Sequence, residues 1–182
     1  MPSIPSNPQD RVIVFIDGSN LFWGLKYYNK DHGTDFRIDY EKLRDFFNDS
    51  RRLIRPYYYG STDVPINPKQ ANFLDFLRFH GFQVVTKPLK AREDSAGRLI
   101  KAEKGADVAM ATDFLSLAWE DAYDVAVMVS GDADFVGAVE KVKAKGKRVE
   151  IASFSMTLSG DMKRAGDRLI VIDDIIDKIK RV

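Results

Sequence analysis

The residues able to do chemistry in this sequence are nearly all carboxylates. Asp17 ends the apolar run at residues 12–16 (VIVFI) and opens the turn Asp17-Gly18-Ser19-Asn20. Asp107 closes the stretch KGAD at 104–107, while Asp132 and Asp134 follow a second apolar run at 125–129 (VAVMV) through Ser130 and Gly131. Acids brought together repel one another and raise each other's pKa. A hard divalent cation relieves that conflict, because Mg²⁺ takes oxygen ligands and keeps several of its waters. Such a site orients a phosphodiester, activates water and stabilises the leaving oxygen without His or Cys. The sequence has no Cys, and its two His, His32 and His80, fall outside the motifs. That excludes a thiol nucleophile, a disulfide scaffold, a zinc ribbon and an iron–sulfur cluster. Metal-assisted phosphodiester hydrolysis fits the inventory best.

Rival motifs fail at named positions. A haloacid-dehalogenase-type phosphatase needs a second Asp two residues after the first, where Ser19 stands, and an acid at 136, where there is Val136. An integrin-type DxSxS metal site needs Ser or Thr at 21, where there is Leu21. No Walker A loop is present to cradle a nucleotide phosphate.

The acids need elements to carry them. The runs at 12–16 and 125–129 read as strands buried on both faces. Further strands are predicted at 53–59, 82–87, 148–152 and 168–171. Helices are predicted at 21–28, 39–47, 67–80, 105–119, 134–144, 158–165 and 173–179, with Asp39 as an N-cap and Asn67-Pro68 as a cap followed by Pro at the first position. The inward stripe of the 105–119 helix is assigned to Val108, Ala111, Leu115 and Ala118. Residues 90–100, polar and turning at 94–97, read as an exposed hairpin or loop. The alternation predicts an α/β fold, a three-layer sandwich with a mainly parallel central sheet. Ligands of such sheets bind beyond the C-terminal strand ends near a switch point. Asp17, Asp132 and Asp134 would converge on that edge.

The 182 residues are enough for about one domain. Residues 1–10, with three prolines, read as a disordered lead-in and 11–182 as a single domain. A formal net charge of +1, from 28 basic and 27 acidic residues, excludes a wholly basic nucleic-acid coat or an acidic tail. The longest strongly apolar runs fall far short of the roughly 20 residues that cross a bilayer, and no signal peptide is visible. The expectation is a soluble cytoplasmic protein.

Four stretches carry a resemblance to the NYN-domain family, the LabA-like branch of the PIN-like nucleases: VIVFIDGSNLFWGL at 12–25, KGADVAMATDF at 104–114, VMVSGDADFVGAV at 127–139 and DRLIVIDDI at 167–175. The resemblance implies a PIN-like, Rossmann-like fold and a Mg²⁺- or Mn²⁺-dependent ribonuclease; the RNA partner expected is single-stranded. It implies that Asp17, Asp107 and Asp132, helped by Asp134, are metal ligands. Asn20 would hold its loop or position a water, Ser130 would orient the acidic cluster, Lys104 would contact substrate phosphate, and Ser19 and Ser130 are further substrate-binding candidates.

Each motif residue also has a plainer reading. Asp17 and Asp134 suit N-caps, Asp107 suits the first turn of a helix, and Ser19 and Ser130 suit turns. Asp113, on the same helix as Asp107, either faces the site or, the favoured reading, is solvated or salt-bridged. The segment 87–104 sets Lys87, Lys90, Arg92, Arg98, Lys101 and Lys104 against Glu93, Asp94 and Glu103. This is either a phosphate track, with Arg98 and Lys101 beside Lys104 as substrate contacts, or a solvated hairpin. The run Lys141, Lys143, Lys145, Lys147 and Arg148 suits a helix C-terminus. Trp23, Tyr27, Tyr28 and the triplet 57–59 offer base stacking or packing in the core or a homodimer contact. The leading expectation is a metal-dependent RNase. The alternatives are a noncatalytic RNA-binding or regulatory module that keeps the acidic pocket, and a small-molecule phosphohydrolase.

Overall fold

The computed structural model describes residues 7–93, 99–102 and 105–181. β1 (Arg11–Asp17) runs into α1 (Gly18–His32) and α2 (Tyr40–Asn48), followed by β2 (Arg52–Thr62), α3 (Pro68–Phe79) and β3 (Gln83–Pro88). β4 (Lys90–Glu93) and β5 (Leu99–Ala102) form a separate antiparallel pair, the hairpin expected of the polar segment. The chain continues through α4 (Ala106–Trp119), β6 (Val125–Val129), α5 (Val136–Ala144), β7 (Arg148–Ser153), α6 (Gly160–Ala165), β8 (Arg168–Val171) and α7 (Ile176–Ile179).

The main sheet has the order β3-β2-β1-β6-β7-β8, with every neighbouring pair parallel. β1 and β6 lie side by side at its centre, where the chain stops building outward in one direction and starts in the other. That position explains their sequence. A strand covered by helices on both faces has no solvent side, so polar alternation disappears. Val12 to Ile16 and Val125 to Val129 are all at most 1% exposed.

Two apolar layers flank this sheet. One packs Val12, Val14 and Ile16 with Leu21 of α1, Leu43 and Phe47 of α2, Leu77 of α3 and Ile176 and Ile179 of α7. The other packs Ile13 and Phe15 with Met110 and Phe114 of α4, Val139 and Val142 of α5 and Met162 of α6. The three-layer sandwich read from the sequence is therefore the one observed, with a wholly parallel sheet.

Several local expectations need correcting. Val108 is 69% exposed, and the buried stripe of α4 is Ala106, Met110, Phe114 and Ala118. The larger Met110 and Phe114 fill the space over Phe15, turning the helix away from Val108. Tyr57, Tyr58 and Tyr59 lie inside β2, which continues to Thr62. Strand alternation sends Tyr57 and Tyr59 to the α4 layer and Tyr58 to the opposite one. The turn after β7 is a short 3-10 helix at Ser155–Thr157, so α6 begins only at Gly160, with Ser159 as its cap. Similarly, a 3-10 turn at Ile172–Ile175 precedes the short α7. Asp10 reaches into the fold: its carbonyl accepts from the Arg52 amide and its carboxylate pairs with Arg148.

Candidate active site

Asp17 is the last residue of β1 and caps α1, so one carboxylate serves the strand end and the helix start. Its Oδ1 accepts the backbone amides of Ser19 at 3.1 Å and Asn20 at 3.0 Å. Its Oδ2 accepts the Ser130 hydroxyl at 2.9 Å. Ser130 follows β6, the strand neighbouring β1, and parallel register brings the two ends level. The capping reading of Asp17 is thus realised, yet it uses one oxygen and leaves the other turned toward the β6 loop.

That loop is held by hydrogen bonds between residues two positions apart. Ser130 Oγ accepts the Asp132 amide at 3.3 Å, and Asp132 Oδ1 accepts the Asp134 amide at 3.0 Å. Asp132, rather than Asp134, therefore caps the following 3-10 turn Ala133–Phe135. Asn20 ties the two loops together, its Oδ1 accepting the Gly131 amide at 3.2 Å. The Gly131 carbonyl accepts from the Ser159 amide at 2.9 Å, anchoring the loop to the start of α6. A side chain at 131 would strike the Thr157 carbonyl oxygen, so glycine is required by the approach of the two backbones.

The structure thus brings together Asp17, Ser19, Asn20, Ser130, Asp132 and Asp134 at one edge of the sheet. Asp17 and Ser130 are buried, and Asp132 and Asp134 are exposed. Fully buried, Ser130 turns its hydroxyl to Asp17. Asp107 stands exposed in the first turn of α4. Among the described residues no three acids or histidines gather closely enough to cage a metal ion, so Asp107 does not join Asp17 and Asp132 in such a group. Lys101 lies on β5; Arg98 and Lys104 lie outside the described residues.

The donor set is all oxygen and hard, as Mg²⁺ and Mn²⁺ prefer. Mg²⁺ is commonly held by one or two carboxylates plus waters and substrate phosphates, without a full protein cage. Asp17 and Asp132, on adjoining strand ends, fit that mode of binding.

Sequence reasoning missed the contact that seats α4. The Tyr59 hydroxyl, opposite Asp17 in the β1–β2 register, donates to Asp113 Oδ2 at 2.8 Å. Burial and this bond hold the Tyr59 phenol well above its ordinary pKa, so it remains a neutral donor. Asp113 is therefore neither simply solvated nor salt-bridged; it fixes the helix that carries Asp107. A tyrosine at strand register with the motif acid was the available signal.

The basic run at 141–148 is largely used in structure. Lys143 pairs with Asp167 at 2.9 Å, Lys147 with Asp121, and Arg148 with Asp10. The aromatics of α1 remain outward: Phe22 is 59% exposed and Trp23 and Tyr27 are each 44% exposed. Lys26 sits 4.5 Å above the Trp23 ring.

A parallel α/β sheet with acids meeting at its switch point defines a Rossmann-like domain with an acidic edge, the PIN-like arrangement. The chain belongs to the NYN-domain family, whose model matches residues 11–173. It is similar to the low amplitude and bright protein LabA of Synechococcus elongatus, with 29% identity over 177 residues, covering 94% of this chain and 90% of LabA. A crystal structure of a protein of unknown function from Vibrio parahaemolyticus shares the fold, with a TM-score of 0.75 and 22% identity. The match covers 98% of this chain and 100% of that one. Among the described residues no helix is long and apolar enough to cross a membrane.

Proposed function

We propose that this protein is a metal-dependent ribonuclease that hydrolyses phosphodiester bonds of single-stranded RNA at the β1–β6 edge. The observation that carries this reading is the coupling of Asp17 to the Asp132 loop through Ser130, across the switch point of the sheet. Asp17 and Asp132 would hold Mg²⁺ or Mn²⁺, with Asp107 and Asp134 adding negative charge to the approach. The bound cation supplies Lewis acidity toward the scissile phosphate. Asn20 fixes the distance between the two loops. Ser130 holds Asp17 Oδ2 in place, so the carboxylate needs no reorganisation when substrate arrives. Lys104, Lys101 and Arg98 are proposed to meet the RNA backbone. Phosphate contacts of this kind contribute affinity without reading sequence.

One observation favours a second reading, a noncatalytic RNA-binding module: the acids do not form a three-ligand group among the described residues. Labelled single-stranded RNA incubated with Mn²⁺ separates the two. The ribonuclease reading expects products that disappear on adding EDTA and in Asp17→Asn. Equal cutting by wild type and variant would overturn it, and binding without any cutting would select the module.

A further inference from the structure

A cavity of about 610 Å³ opens one residue from Asp17, on the α1–α2–α3 side of the sheet. Its walls are aromatic: Phe22, Tyr40, Tyr58, Phe73 and Phe76 line it, with Gly18 at the end nearest the acids. Gly18 is required there, since a Cβ would overlap the Tyr58 hydroxyl. Tyr40, Tyr58 and Phe73 pack edge-on, with ring centroids 5.2 to 6.0 Å apart, which makes a rigid wall rather than a collapsible one.

The polar groups around this cavity are unequal in their freedom. Asp39 caps α2, accepting the amides of Glu41 and Lys42 at 3.1 Å each. Glu41 faces His80 at 3.5 Å. Arg37 and Arg181 are exposed on the lining, held beside one another by the Arg181 amide donating to the Arg37 carbonyl at 2.7 Å. Neither guanidinium makes a hydrogen bond or ion pair among the described residues, and nor does the Asn72 amide or the Tyr40 hydroxyl. The acids are engaged and the cations are available.

We propose that this cavity is a nucleobase subsite: a base of the RNA enters between Phe22, Phe76 and the Tyr58 wall, while Arg37 and Arg181 hold the phosphate of the same nucleotide. The proposal rests on the ribonuclease reading and names where its substrate is gripped. Aromatic walls suit an unpaired base, which stacks whatever its identity. Asn72 and the Tyr40 hydroxyl offer both donor and acceptor to the base edge. Two guanidinium groups on the lining suit a phosphate better than they suit the side chain of an apolar peptide. Adjacency to Asp17 would place a neighbouring phosphodiester of the strand at the acidic edge.

The test is fluorescence anisotropy of a fluorescein-labelled single-stranded RNA in EDTA, run beside cleavage in Mn²⁺. Phe76→Ala and the double variant Arg37→Ala/Arg181→Ala should each weaken binding about tenfold at unchanged melting temperature. Adenosine 5′-monophosphate should displace the RNA and ribose 5-phosphate should not. If Phe76→Ala unfolds, Asn72→Ala, at an exposed position, carries the test in its place with a smaller loss. Unchanged binding by the pocket variants, no binding by wild type, or equal competition by ribose 5-phosphate would overturn the proposal. Failure of the ribonuclease reading looks different: Asp17→Asn would cut like wild type while the pocket variants still lost binding.

Discussion

The two edges of the central sheet treat their acids in opposite ways. Toward the N-terminal strand ends, carboxylates meet cations. Arg11 bonds Asp124 at 2.8 and 3.0 Å and also reaches Asp121. Arg51, just before β2, grips Glu150 of β7 through two bonds of 2.8 and 3.1 Å, with both side chains at most 5% exposed. At the C-terminal ends, Asp17 accepts two backbone amides and a hydroxyl, and Asp132 accepts a backbone amide. Asp132 and Asp134 make no ion pair among the described residues. The amide that bonds Asp132 orients its carboxylate without cancelling the charge. One edge uses charge for cohesion, and at the other Asp132 and Asp134 stay outside any ion pair among the described residues.

The comparison breaks first at Asp17. Asp17→Asn keeps the shape and an acceptor for the cap while removing the charge. Cleavage of single-stranded RNA in Mn²⁺ should fall by at least about 100-fold, with little change in melting temperature. Loss of stability matched to loss of activity would assign Asp17 to cohesion and erase the difference between the edges. The opposite outcome is expected at Glu150. Glu150→Ala strands the Arg51 guanidinium in the interior, a change that costs about 3–5 kcal/mol. Thermal melting should shift down by about 10 °C, while residual folded protein cleaves normally. Glu150→Gln, which retains an acceptor, should lose less.

Ser130→Ala sharpens the contrast at smaller scale. It removes the donor to Asp17 Oδ2 and the acceptor for the Asp132 amide, both in a buried setting. Stability should drop by about 1–2 kcal/mol, and cleavage should fall about tenfold, because both acids lose a positioning bond. Ser130→Thr should rescue part of the activity if room exists for the added methyl. A kcat loss with unchanged RNA affinity separates this positioning role from substrate contact.

Much of this division was legible before any coordinates, for a physical reason. Strands buried on both faces must be apolar throughout, so 12–16 and 125–129 announced the centre of the sheet, and the acids after them announced its edge. Spacing could not say which neutral groups those acids would meet. The Asp17–Ser130 bond spans 113 positions, and it depends on β1 and β6 being neighbours, a matter of topology. The stripe of α4 was misread because Val108 and Met110 are both apolar. Only the rings beneath the helix decide which turns inward. Arg51–Glu150 was equally invisible, since two ordinary charged residues carry no local sign that they will be buried together. The aromatic cavity went unseen because its lining comes from α1, α2, β2 and α3 at once.

The smallest effect lies at the cohesive edge and concerns pH. Arg11, by hydrogen bonding and then by its charge, holds the Asp124 carboxyl down at about 2 from an ordinary 3.8. A carboxylate depressed in the folded state contributes stability that is fully present above its unfolded pKa and is lost as pH falls through the folded one. The contribution should therefore decline between about pH 4 and about pH 2. Asp121 moves in the same direction, through Lys147 first and Arg11 second. The Asp124 side chain is 38% exposed, so solvent screening limits its contribution to less than about 1 kcal/mol. Melts of wild type and Asp124→Asn should differ by a degree or two near neutrality, about what that energy gives. The gap should close as the pH drops through this window and shrink in high salt. A gap that instead widened on acidification would mean that Asp124 is stabilised as the neutral acid, and the pairing of charges would no longer distinguish this edge from the other.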